Sequence, residues 1–230
     1  MNPLGLREAA VLDYQSLLLL AGADSGQSAA TVLEALSSAW IAAYRQQSGR
    51  RGVISAMTFG AFCILFDLEG SDHGDGRGPQ PPGVFPRAVA AYGCSSPGRR
   101  PRRRDDQRLR QLMPTEPSAH VGRDKGHFIA HSIGGAVIAA ETNVFSQRRG
   151  LNRGWTADGR VFRSMERHAA ERPGTPFFMR PIYLAETDVP DFLEVGILLE
   201  SGKPWVVLFD NRDSADAALT TEGPHQVGVV

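Results

Sequence analysis

The 230-residue chain reads as α+β: a mainly helical N-terminal region ahead of antiparallel strands gathered around one helix. Three observations predict this. Residues 8–21 and 27–46 carry apolar side chains at three- and four-residue spacing, the period of a half-buried helix. Residues 160–172, RVFRSMERHAAER, repeat that spacing and run into Pro173, which cannot continue a helix. Beyond it lie PFFMRPIYL, FLEVGILLE and PWVVLFDN, runs rich in β-branched and aromatic residues, the last two joined by the turn signal SGK.

In chain order, GADSGQS separates the first two helices and offers serine or aspartate to cap the second. VISAMTFGAFCILFDL is apolar throughout, so periodicity leaves it open between strand and helix. Residues 69–83 are loop-like, VFPRAVAAYG is short and ambiguous, and CSSPGRRPRRRDD is again loop-like. This divides the chain into an N-terminal region (1–95), a basic linker (96–117), a second domain (118–212) and a tail (213–230). In that second domain SAHVGRD leads toward a short strand, HFIAHSI is strand or turn, and VIAAETNVFSQ is a connecting segment.

The net charge is zero but unevenly placed. Residues 99–110 hold seven arginines against two aspartates, and residues 120–180 hold ten basic against five acidic groups. Beyond Pro181 the count reverses to nine acidic and two basic. The middle of the chain can thus attract a polyanion although the whole is neutral. Two cysteines, Cys63 and Cys94, have no zinc spacing. The first residues lack the pattern of a secretory signal, and LLLLAG is too short to span a bilayer.

The chemistry gathers in GRDKGHFIAHSIGGAVIAAETNVFSQRRGLNRG, residues 122–154. His127 follows a glycine and charged neighbours, so it does not belong to an apolar face; a neutral imidazole there can take a proton from water. Asn152 offers an amide oxygen, a hard neutral ligand suited to Mg²⁺. Asn143 and Gln147 are candidates for fixing the loop or orienting a metal-bound water. Glu166 and Arg163 stand three apart on the expected helix and share a face. Arg163 or Arg153 can grip phosphate through a guanidinium fork. His131 lies four residues after His127, but the HExxH pattern is absent and the following Gly-Gly opposes a long helix, which disfavours zinc. SIGGAV lacks the lysine and hydroxyl ending of a phosphate-binding loop.

These segments, GRDKGHFIAHSIGG, TNVFSQRRGLNRG and VFRSMERHAA, resemble the DNA/RNA non-specific endonuclease family, in particular its bacterial toxin-like branch. The likeness extends over about residues 121–212. It implies an α+β fold with a ββα-metal nuclease core, and cleavage of DNA and RNA with Mg²⁺, with Mn²⁺ or Ca²⁺ as substitutes. The family's Asp-Arg-Gly-His motif falls on Asp124, Lys125, Gly126 and His127, which makes His127 the general base. The resemblance further implies Asn152 as the metal ligand, Asn143 and Gln147 as the Asn-x-x-x-Gln pair, and Glu166 and Arg163 as the helix acid and its arginine. Asp124, Lys125 and Arg153 are then substrate-contacting or supporting groups. Lys125 replaces the usual arginine and keeps its charge without the fork. WTADGR lengthens the interval before the helix; an inserted surface loop there is tolerated, whereas an insertion that shifts the helix would cost Glu166 its role. Such an enzyme would endanger its own cell, so an immunity or inhibitor protein is an expected partner. The alternative reading is a catalytically silent module that binds nucleic acid or protein. The sequence leaves oligomeric state and export route open.

Overall fold

The computed structural model describes residues 12–23, 26–69, 87–97, 123–135, 143–212 and 226–227. Side-chain caps start its first two helices. Asp13 accepts the Ser16 backbone N–H at 3.1 Å ahead of α1 (Tyr14–Leu20). Ser28 does the same for Thr31 at 3.2 Å ahead of α2 (Ala29–Ser48). Gly49 ends α2 in the left-handed region, with φ of 71°. The inward stripe of α2 is Val32, Leu33, Leu36, Trp40 and Tyr44.

The apolar run that periodicity left open is a hairpin. β1 (Ile54–Phe59) and β2 (Phe62–Asp67) turn through Gly60, whose φ is 62°. β2 pairs with β3 (Arg87–Cys94), and β3 pairs with β6 (Pro176–Ile182). β7 (Phe192–Leu198), β8 (Pro204–Asp210) and β9 (Gln226–Val227) complete an antiparallel sheet in the order β1-β2-β3-β6-β7-β8-β9. A separate hairpin, β4 (Arg123–His127) with β5 (Val144–Arg148), leads into α3 (Arg149–Asn152) and α4 (Ala157–Glu171).

The fold is therefore mixed α+β with helices at the N-terminal end, as the sequence predicts. The helical character of the first region stops at Ser48, however, and residues 54–94 supply three strands. The large sheet draws strands from both sides of residues 96–117. Residues 98–117, expected as the basic linker, lie outside the described residues, as do 118–122 and most of the 213–230 tail.

Each face of the sheet carries its own core. Leu65, Val89, Ala90, Phe178 and Val206 pack under α1 and α2. Ile64, Ala91, Phe177, Met179, Val195 and Phe209 pack on the other side with Phe162 and Met165 of α4 and with Phe128 and Phe145 from the small hairpin. Phe177 and Phe178 thus go to opposite layers, as strand alternation requires. Gly196, directly across from Phe178, leaves room for that ring; a Cβ there would sit 2.1 Å from it. Under the helices, Glu194 is fully buried and Arg180 is 1% exposed. Arg180 Nε donates to Glu194 at 2.6 Å, the Tyr14 hydroxyl donates to the same carboxylate, and Trp40 Nε1 donates to Tyr14 at 3.0 Å. A buried charge held this fully is tolerated because every neighbour supplies a hydrogen bond.

Candidate functional site

The small hairpin is secured at both ends by buried asparagines. Asn143, 2% exposed, accepts the Ile129 N–H at 2.9 Å and donates to the Ile129 carbonyl at 3.0 Å. Its own carbonyl accepts the Phe128 N–H at 3.0 Å. These bonds set the path of the chain just beyond His127. Asn211, fully buried at the end of β8, donates to the carbonyls of Ser146 (3.1 Å) and Pro190 (2.7 Å) and accepts the Arg148 N–H (2.8 Å). It ties β5 to the large sheet. Sequence reading passed over it, because a side chain that bonds backbone leaves no pattern in its partners.

Phe128 and Phe145 stack with centroids 4.5 Å apart and anchor the hairpin in the core. Gly126 is required by the partner strand: a Cβ would lie 2.3 Å from Oε1 and 2.6 Å from Cβ of Gln147. Gln147 is 1% exposed, and its Nε2 has no hydrogen-bond partner among the described residues. It therefore packs across β4 opposite Asp124, its register partner.

Asp124 is the hub. Its carboxylate receives Arg153 through Nε at 2.6 Å and Nη2 at 3.0 Å, Arg149 Nε at 3.1 Å, and Asn152 Nδ2 at 3.2 Å. Burial acts to raise its pKa, but the hydrogen bonds from Arg153, Asn152 and Arg149 outweigh this and hold the carboxyl below its usual range. The ionised carboxylate also fixes the Asn152 amide. Only its NH₂ can face an acceptor, so Oδ1 is turned away, and that oxygen receives no hydrogen bond among the described residues. Arg149, which sequence reasoning did not nominate, stands four residues before Arg153; the spacing was visible, but the one-turn helix that aligns them was not.

Asn152 is placed by close backbone packing of α3 on α4. A Cβ on Gly159 would lie 2.4 Å from the Gly150 carbonyl and 2.9 Å from Gly154 Cα. Gly154 itself turns with φ of 72°. Thr156 caps α4 by accepting the Gly159 N–H at 3.1 Å. Within the WTADGR segment, Ala157, Asp158, Gly159 and Arg160 are the first turn of α4, so the helix starts ahead of residue 160. The reason is Thr156, a capping residue placed just ahead of a run with no helix breaker except this one well-packed glycine. On the same helix Arg163 donates to Glu166 at 2.6 Å. Glu166 is 7% exposed, and burial raises its pKa against the opposing pull of Arg163.

The structure brings together Asp124, Asn152 and Arg153, and separately Arg163 with Glu166. His127 ends β4, half-buried and paired in register with Val144. It stands three residues, about 10 Å of strand, beyond the carboxylate that holds Asn152. Alternation turns Lys125 and His127 to the other face of the strand from Asp124 and Gly126. His131 opens a single 3-10 turn (His131–Ile133) after the strand.

Around Asn152 stand the Asp124 carboxylate behind its amide and the guanidinium groups of Arg153 and Arg149, so the oxygen of that amide is the one hard neutral donor the cluster could offer a metal ion. Among the described residues no three His, Cys, Asp or Glu side chains converge as a metal-holding group. A cleft of about 380 Å³ opens at the far end of α4, lined by Gln27, His168, Arg172 and Glu200. There Arg172 meets Glu171 at 3.8 Å. Among the described residues no helix is long and apolar enough to cross a membrane. A scan against protein-family models finds no match, and a search of curated proteins finds none.

Proposed function

We infer that the chain is a metal-dependent nuclease that hydrolyses phosphodiester bonds of DNA and RNA with little sequence preference. The observation that carries this reading is the Asp124 carboxylate, which orients the Asn152 amide and anchors Arg153 on the strand that ends in His127. The order of elements, β4, β5, then helix, supports a ββα-metal core of the kind the sequence resembles.

In this reading Asn152 Oδ1 would hold Mg²⁺, which when bound would supply positive charge beside the scissile phosphate. His127 takes the proton from the attacking water. The water oxygen bonds to phosphorus as the bond from phosphorus to O3′ breaks, leaving a 5′-phosphate and a 3′-hydroxyl that takes a proton from solvent. Arg153 and Arg163 attract the backbone, and contacts to phosphate rather than base edges account for weak sequence preference. Glu166 positions Arg163 by pairing with it. A protein inhibitor in the producing cell belongs to the same reading, and co-purification tests it.

The deciding experiment incubates the full chain with plasmid DNA and with RNA, in Mg²⁺ and in EDTA. Wild type should cleave both in Mg²⁺ only. His127→Ala should lose cleavage while keeping its circular dichroism and its binding to DNA; Asn152→Ala should need far more Mg²⁺. Absence of Mg²⁺-dependent cleavage by wild type, or full activity in His127→Ala, sinks the reading.

A further inference from the structure

Trp155 comes directly after the Asn152-Arg153-Gly154 turn and is 62% exposed, unlike Trp40, which is fully buried, and Trp205, which is half-buried. A lone exposed apolar residue means little, but this one is held. The Arg153 guanidinium lies over its ring, with Cζ 4.9 Å from the centroid. That guanidinium is itself locked by two bonds to Asp124, at 2.6 and 3.0 Å. The Trp155 backbone is fixed as well: its N–H donates to the Gly150 carbonyl at 3.0 Å, and its carbonyl accepts Arg160 Nη1 at 3.4 Å. With a guanidinium over the ring, an exposure of 62% still leaves a large part of the indole to solvent. Arg153 lies over the indole and Arg160 reaches the Trp155 carbonyl, so two arginines stand at this residue.

An exposed indole with a guanidinium over its ring, on a bonded backbone three residues from Asn152, fits one ligand chemistry: a flat ring flanked by phosphates. We propose that Trp155 is a stacking platform for an unpaired base, so that the site favours single-stranded DNA or RNA over duplex. A base inside a duplex already stacks on its neighbours and cannot offer its face, whereas an unpaired base can. Arg153 then has two tasks, holding Asp124 on one side and backing the indole on the other. The proposal rests on the nuclease reading for its substrate class and is tested without hydrolysis.

The test titrates the full-length protein in EDTA with oligothymidylate and with a blunt duplex of equal length, following tryptophan fluorescence. Oligothymidylate should quench wild type more strongly than duplex does. Trp155→Ala should bind oligothymidylate at least about fivefold more weakly, the loss of one base stack, and Trp155→Phe should recover most of that affinity. In Mg²⁺, Trp155→Ala should raise KM for the single strand with little change in kcat, and should change duplex cleavage less. Equal loss on both substrates without rescue by Phe makes Trp155 structural and overturns the proposal. So does wild-type cleavage with no quench by oligothymidylate, an outcome that leaves the nuclease reading intact. Quench and Trp155-dependent binding with no cleavage in Mg²⁺ uphold the stacking platform and remove the nuclease.

Discussion

Asp124→Asn separates what the hub contributes to folding from what it contributes to the site. The native carboxylate takes two bonds from Arg153, one from Arg149 and one from Asn152. Bonds to a charged group are worth about 1.5–3 kcal/mol when shielded. Here the side chains of Arg153 and Arg149 are 47% and 42% exposed, so each ion pair falls to about 0.2–1 kcal/mol by solvent screening. The bond from Asn152 adds about 1 kcal/mol. The substitution should thus lower stability by about 2 kcal/mol at neutral pH, read as a fall in the urea midpoint. Because the folded carboxyl lies below its unfolded value, this contribution is complete above the unfolded pKa. It fades as pH falls through the lowered folded value, so the two proteins should converge in strong acid. At the site the loss should be larger. An amide at 124 no longer dictates which end of Asn152 faces it, and removing such an orienting partner costs about 10- to 100-fold in metal affinity. Plasmid cleavage measured against Mg²⁺ concentration should shift by that factor. Lower stability with an unchanged Mg²⁺ curve would refute the idea that Asp124 aims Asn152.

Glu166→Gln should leave stability at neutral pH equal or slightly higher while lowering cleavage, because the raised pKa means ionisation of this buried carboxyl opposes folding. The sign comes from linkage: its contribution is complete below the unfolded pKa and is lost as pH rises through the folded one. A large drop in thermal midpoint would instead make Glu166 structural. Gly159→Ala forces a Cβ to within 2.4 Å of the Gly150 carbonyl, backbone against backbone, and should cost about 1–3 kcal/mol together with a weakened Mg²⁺ response; normal activity would show that α3 can shift without consequence. On the opposite side of the sheet, Arg180→Met leaves Glu194 buried with a lost partner and should cost about 3–5 kcal/mol. Adding Glu194→Leu should recover much of it, and additive losses in urea denaturation would argue against that account.

What could be read from the sequence was whatever had a short-range signature. The stripe of α2, the run ending at Pro173 and the three strands beyond it all come from local periodicity. The hairpin at 54–67 did not, because both faces of its sheet are covered and β2 therefore shows a nearly unbroken apolar run, FCILFD. The pairing of β3 with β6 joins Ala91 to Met179, a separation no window of sequence contains. At the site, residue types singled out Asn152 and Arg153 and the resemblance added Asp124; the fold brings the three into contact. Arg149, Asn211 and Gly159 escaped notice for a common reason: each acts through a backbone or a helix turn whose position depends on the finished fold. The same limit left WTADGR open, where the cap at Thr156 and the glycine contact with α3 decide that the helix begins at Ala157.

The β3–β6 seam has a consequence for anyone wishing to transplant the proposed activity. Cutting the chain near residue 96 would strip Pro176–Ile182 of its neighbour and bare a ribbon with apolar side chains on both surfaces, including Phe177 and Phe178. Such a fragment has every inducement to stick to its own copies before it folds. Nature or an engineer could not shuffle this half of the chain as a cassette without carrying along the first ninety-odd residues, or supplying some other strand to close the gap.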